Sequence, residues 1–404
     1  MNKPLEGIRV LEVAQWWFVP SAGAVLADWG ADVVKIEHPE TGDPQRGLIT
    51  SGLIPKGGFN FMWEQPNRGK RSVTVDLATA DGKELLYKLA ATSDVFLTSF
   101  LPDARQKLEI DVEHIRRHSP RIVYARGSGQ GVRGPDAGKG GFDGASFWAR
   151  GSLGHTFTGS IADPDAPLMQ RPAFGDGIGG MSIAGGIAAA LLRRERSDEV
   201  PVVDISLLAT ACWVLAPDIT ASPSYGALFG RMDRTGTPNP LTNNYKTSDD
   251  RWISIIMLQA DRYWPDFCRH LERPDLIDDE RFADMIARSE NRRECVAELD
   301  AVFATRTLDE WREKLETMEG VWAPFQTPLE IHEDRQVKAN GYLPEVTGGD
   351  GSQFKLCSSP VQFDEAPTAL SAAPEHGQHT EEVLLELGLT WEEIARLKEA
   401  GAVG

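Results

Sequence analysis

The sequence predicts an α/β layer fold in its N-terminal half, followed by a smaller, mainly helical middle domain. Three observations carry this. Short apolar, β-branched runs alternate with amphipathic stretches throughout the N-terminal half. Residues 216–246 then turn rich in Pro, Gly, Ser and Asn, as at a domain boundary. Charged, helix-periodic segments follow until the chain returns through WAPFQTPLEIHED (322–334) to strand-like stretches. These shifts divide the chain into a first part at 1–220, a middle domain at 221–328 and a C-terminal part at 329–404.

The N-terminal elements follow in order. IRVLEVA (8–14) reads as a buried strand, SAGAVLADWG (21–30) as a short helix and DVVKIE (32–37) as a second strand, which together make a βαβ unit. The first turn lacks the GxGxxG of dinucleotide-binding folds and carries Trp16, Trp17 and Phe18 instead. Those rings are either packing or a flat wall for a large flexible ligand at a strand's carboxyl end. Residues 38–66 have no period and read as a long loop. A basic knot leads into a strand at 72–77, an amphipathic helix spans 81–92, and a strand covers 94–100. A short helix at 102–110 carries Arg105 and Lys107, and a strand at 121–127 runs into GSGQG. That glycine cluster reads as a loop, since no GxxxxGK[ST] accompanies it.

The bulk numbers exclude several classes. A net charge of −18 argues against a nucleic-acid partner. No apolar run approaches the ~20 residues that cross a bilayer, and the N-terminus does not read as a signal peptide. The cysteines (Cys212, Cys268, Cys295 and Cys357) are far apart, so neither a disulfide framework nor a metal site is expected, and the residue usage reads as cytoplasmic.

The stretch with the most chemical content is PAFGDGIGGMSIAGGIAAALLRR (172–194). Ile178, Met181, Ala184, Ile187, Ala188, Leu191 and Leu192 recur at three- and four-residue steps, and Arg193, Arg194 and Arg196 close the pattern as a helix C-terminus prefers. Asp176 sits at the start of this helix between Gly175 and Gly177. It is an N-cap or a working nucleophile, and local sequence leaves both readings open.

Eight stretches together point to a family: PLEGIRVLEVA, GADVVKIEHPETGDPQRG, NRGKRSVTVDL, DVFLTSFLP, PRIVYARGSGQG, FGDGIGG, VVDISLL and HGQHTEEVLLELGL. In this order and over nearly the whole chain, the sequence resembles the family III CoA-transferases, which include formyl-CoA transferase, carnitine CoA-transferase and alpha-methylacyl-CoA racemase. The resemblance implies a Rossmann-like large domain made of the first part (1–220) and the C-terminal return (329–404), a smaller middle domain and an interlocked homodimer. It implies coenzyme A and acyl-CoA as substrates with a carboxylic acid acceptor and no permanently bound cofactor. It places the catalytic carboxylate on Asp176. It places CoA contacts on Trp16, Trp17 and Phe18, on His38, along Val75–Ala78, on Ser99–Leu101, on Lys107 and around Lys139–Asp143.

With Asp176 as an acyl-carrying nucleophile, oxyanion intermediates would need nearby backbone N–H groups, and Gly177, Gly179 and Gly180 are the expected donors. Two departures bear on the substrate. The glycine run of formyl-CoA transferase is absent from SYGALFGRMDRTGTPNP, which speaks against the formyl-CoA/oxalate pair. The racemase branch pairs its Asp with a His, and here His155 falls one place late after Gly154. CoA transfer is therefore the leading reading, with acyl-CoA racemization and non-catalytic acyl-CoA binding as the alternatives.

Overall fold

The computed structural model describes residues 3–48, 59–158, 166–197, 199–226, 228 and 233–404. The loop expected over 38–66 and the stretch SYGALFGRMDRTGTPNP lie partly outside these residues. The chain divides into two compact units, Met1–Leu228 with Gln336–Gly404, and Phe229–Arg335. The exchanges thus fall later than 220 and 328. A helix at Ala216–Tyr225 carries the first unit on, and Arg251 holds Glu330 at 2.8 Å within the second.

The first unit is built on six strands: β1 (Arg9–Val13), β2 (Asp32–Glu37), β3 (Arg71–Thr74), β4 (Val95–Thr98), β5 (Val123–Ser128) and β6 (Val202–Ser206). Their order is β3-β2-β1-β4-β5-β6 and every pair is parallel. Alternation along β1 sets the two faces. Val10 packs into a core with Val19, Ile183 and Ile187, and Leu11 into another with Val34, Phe96 and Leu384. Because β2 and β4 flank β1 on opposite sides, the chain leaves β1 and β4 in diverging directions. A crevice opens at their carboxyl ends, as doubly wound sheets use for ligands.

Two helices on the first face bring the site together. The Phe18 helix (Phe18–Asp28) and the Asp176 helix (Phe174–Arg196) cross closely because two glycines sit at the crossing. A Cβ on Gly180 would lie 1.8 Å from Ser21 Oγ, and one on Gly179 would lie 2.4 Å from the Phe18 ring. At its far end the Asp176 helix is tied to the sheet by Arg194 and Asp94 at 2.9 Å. By length and composition this helix could span a membrane, but its apolar residues Ile183, Ala184, Ile187 and Leu191 are buried in the core.

Part of the expected long loop is ordered as a helix at Phe61–Asn67, capped by Asn60 and containing Pro66. The second unit holds an antiparallel sheet of Thr242–Lys246, Trp252–Ile256 and Trp322–Pro324 against helices around Trp264, Phe303 and Trp311.

Candidate active site

The Asp176 helix starts earlier than its apolar pattern suggests. Its N-cap is Ala173, left-handed at φ 57°, and Asp176 lies inside the first turn with no capping bond of its own. The capping is supplied from outside. Asp143 Oδ1 accepts the N–H of Gly175 at 3.1 Å, and the amides of Phe174 and Asp176 act on the same carboxylate. A Cβ on Gly175 would lie 2.5 Å from that oxygen and 2.3 Å from the Phe147 ring, so only glycine admits this approach. Asp143 is buried, and its Oδ2 has no hydrogen-bond partner among the described residues. Burial raises its carboxyl to about 6 against the pull of the three amides. Burial, and then the Asp143 charge, raise the Asp176 carboxyl to about 8.

Asp176 is half-buried and lines a cavity of about 580 Å³ at the sheet's carboxyl edge. Gln15, Trp16 and Phe18 after β1, Ser99–Leu101 after β4 and Gly127–Gly129 at β5 form its walls, with Gly140–Phe142 opposite. The Trp16 and Phe142 rings meet edge to face, 5.5 Å between centroids and 88° apart. A second cavity of about 300 Å³ shares Gln15, Phe100 and Leu108 with the first and runs along the ends of β1 and β2, past His38, Asp43 and Val75–Ala78.

Buried charge holds the turn between β1 and the Phe18 helix. Lys35 on β2 reaches Glu12 at 3.1 Å, Asp43 at 2.9 Å and the Ala14 carbonyl at 2.7 Å. Lys70 closes on Glu12 from the other side at 2.8 Å. Burial opposes the Lys35 charge, but Asp43, Glu12 and Glu37 outweigh it and hold the ammonium well above its usual range. The same burial wins at Lys70, which falls to about 7. Asp43 also accepts the Trp16 N–H at 3.1 Å. Trp16 has φ 69°, a left-handed conformation disfavoured for a bulky side chain, and this bond holds it there.

The structure brings Trp16, Phe18, Ser99 and Asp176 to one cavity, and His38 and Val75 to the adjoining one. His38 Nδ1 accepts the amides of Glu40 and Thr41. Four of the expected contact residues line neither cavity. Trp17 is half-buried ahead of the Phe18 helix and lines neither cavity. Lys107 and Lys139 are exposed beside the cavity walls, Lys139 in an ion pair with Asp136 at 2.7 Å. Asp143 is no cleft contact, because its carboxylate is turned to the helix start.

The expected oxyanion donors also need correction. The N–H of Gly177 is bonded to the Ala173 carbonyl at 3.0 Å. Gly179 and Gly180 lie deeper in the helix, where amides are bonded within it, and serve the crossing with the Phe18 helix. His155 is exposed on the helix Leu153–Thr158 and does not line the Asp176 cavity. Sequence reasoning missed Gln15 and Leu207 as cavity walls. Gln15 was findable, as the residue just past β1 at the point where the strand order reverses.

Together the sheet order and the cavity define an α/β protein with a cavity at the switch point of a parallel sheet and a carboxylate on its wall. The chain belongs to CoA-transferase family III, whose profile matches residues 5–380. It is 30% identical to the (R)-2-hydroxy-4-methylpentanoate CoA-transferase of Clostridioides difficile, over 99% of each chain. It is 32% identical to the cinnamoyl-CoA:phenyllactate CoA-transferase of Clostridium sporogenes, over 97% of this chain and 95% of the other. Its fold is similar to that of a CAIB/BAIF family protein from Brucella suis, with TM-score 0.79 and 28% identity over 96% of this chain and all of the other. These likenesses support CoA transfer as the general activity.

Proposed function

We propose that this protein moves CoA from an acyl-CoA thioester to a carboxylic acid through covalent intermediates on Asp176. The observation that carries the reading is a carboxylate in the first turn of a helix, relieved of capping by Asp143 and facing the cavity at the switch point. An Asp176 oxygen attacks the thioester carbonyl, and the C–S bond breaks with its electron pair on sulfur. This gives a mixed anhydride and CoA thiolate. The thiolate attacks Asp176 Cγ, the anhydride C–O bond breaks, and the donor leaves as a free carboxylate. An acceptor carboxylate then attacks Cγ and releases the thiolate. The thiolate takes the acceptor's acyl carbon, and Asp176 returns to its starting state.

The raised pKa of Asp176 fits this role with a cost. At neutral pH most of the free Asp176 holds its proton, and the ionised fraction is a stronger base and nucleophile than an exposed Asp. Gly140 and Gly141 bring bare backbone to the cavity wall and are the proposed oxyanion donors in place of the helical glycines. The adjoining cavity with His38 and Val75 takes the nucleotide end of CoA, and the exposed Lys107, next in the chain to the wall residue Leu108, offers charge to its phosphates. The exposed Trp213 and Tyr225 fit a face covered by a second copy in an interlocked homodimer, which sedimentation of the purified protein tests.

The decisive experiment is trapping. Acyl-CoA and hydroxylamine should convert Asp176 to a hydroxamate that peptide mass spectrometry locates. An active enzyme that leaves Asp176 unmodified under these conditions excludes the mechanism.

A further inference from the structure

We infer that Trp16 and Phe142 form an aromatic clamp that selects an uncharged, aryl-bearing acyl group for transfer. The inference rests on Asp176 being the acyl carrier and names the substrate class for it. The two rings line the cavity that holds Asp176 and meet edge to face at 5.5 Å. Such a pair is half of a herringbone, which a third ring completes with its own edge or face. Trp16 reaches this place only from a left-handed backbone held by Asp43, itself locked on Lys35. Strain maintained by a buried ion pair points to a ring whose position matters.

Charge narrows the class further. No Lys, Arg or His is among the described residues that line this cavity. A second carboxylate on the donor acyl group would face the ionised, reacting form of Asp176 with no cationic side chain on the described wall to offset the repulsion. Dicarboxylic acyl groups are therefore poor substrates. The cavity's volume of about 580 Å³ leaves room for a phenyl ring on a short chain beyond the thioester.

The test compares 3-phenylpropanoyl-CoA, butanoyl-CoA, 4-methylpentanoyl-CoA and succinyl-CoA on the purified full-length protein. Calorimetric Kd and kcat/KM with one common acceptor acid are both read. The phenylpropanoyl thioester should bind at least 10-fold more tightly than the other three. Phe142→Ala should collapse that ratio toward one, Phe142→Tyr should keep it, and Trp16→Leu should act as Phe142→Ala does. Equal affinity for phenylpropanoyl- and 4-methylpentanoyl-CoA in the unmodified protein overturns the aryl clamp, as does a preference for succinyl-CoA. Neither result touches the transferase reading, which fails instead if no thioester labels Asp176 in the presence of hydroxylamine.

Discussion

Asp143 caps the helix that carries Asp176: its Oδ1 accepts the Gly175 N–H at 3.1 Å from 32 residues upstream. A first-turn carboxylate next to an unfilled N-terminus would ordinarily be drawn into capping. Here that place is taken, and Asp176 faces the cavity while carrying a neighbouring charge that resists its own ionisation.

The pH dependence should follow from this pair. Asp176 titrates near 8, raised by burial and by Asp143. Activity should therefore rise with pH through the neutral range and level off above the Asp176 value. Asp143→Asn removes the like charge, so the rising limb of kcat/KM should move to lower pH. A profile that stays put, or moves up, would show that Asp143 does not act on Asp176 through charge.

Asp176→Asn should abolish transfer and stabilise the fold. Relative to an unfolded Asp near 3.8, a folded value near 8 means that the native state holds an extra proton between those limits. Stability is therefore lost as pH rises from about 4 to 8, and it is unaffected below 4. One unit corresponds to ~1.4 kcal/mol, and partial exposure of the group reduces the total, so a gain of about 2 kcal/mol at pH 8 is expected for the Asn variant. Urea melts at pH 8 and pH 4 check it: the gain should appear at the first and vanish at the second.

Gly180→Ala tests the helix crossing. A methyl there would meet Ser21 Oγ at 1.8 Å and the Phe18 carbonyl at 3.0 Å, and both helices line the site. Overpacking of this kind costs about 1–3 kcal/mol. Gly185→Ala on the same helix adds a methyl with no other atom within 4 Å, and it should be neutral or slightly stabilising in the same denaturation assay.

Lys35→Met breaks the buried ion cluster behind the first turn. It strands the buried Glu12 and Asp43, and removing one partner of a buried pair typically costs ~3–5 kcal/mol. Chemical denaturation should show the loss. A variant within about 1 kcal/mol of the parent would mean that Lys70 alone neutralises the cluster.

Much of the fold was legible because its cause is local. The β-branched runs at 9–13, 32–37 and 95–98 are strands for the reason their composition gives, and the three- and four-residue spacing after Asp176 is a helix. The helix at Phe61–Asn67 was not legible. Pro66 and the flanking Gly and Pro residues read as breakers, and the segment is held by contacts with distant chain, such as Trp63 Nε1 to the Pro374 carbonyl at 3.3 Å.

The sequence by itself determined the alternation of strands and helices, the family resemblance and Asp176 as the residue to watch. Each depends on residue types and spacings along one stretch. Tertiary structure decided what the neighbours of Asp176 do. Asp143 became a cap, Gly179 and Gly180 became the crossing of two helices, and Trp16 became a cavity wall held by Asp43. The reason is physical: a backbone N–H, a carboxylate and a glycine each have several possible partners. Which one each takes is fixed only when segments far apart in the chain are packed together.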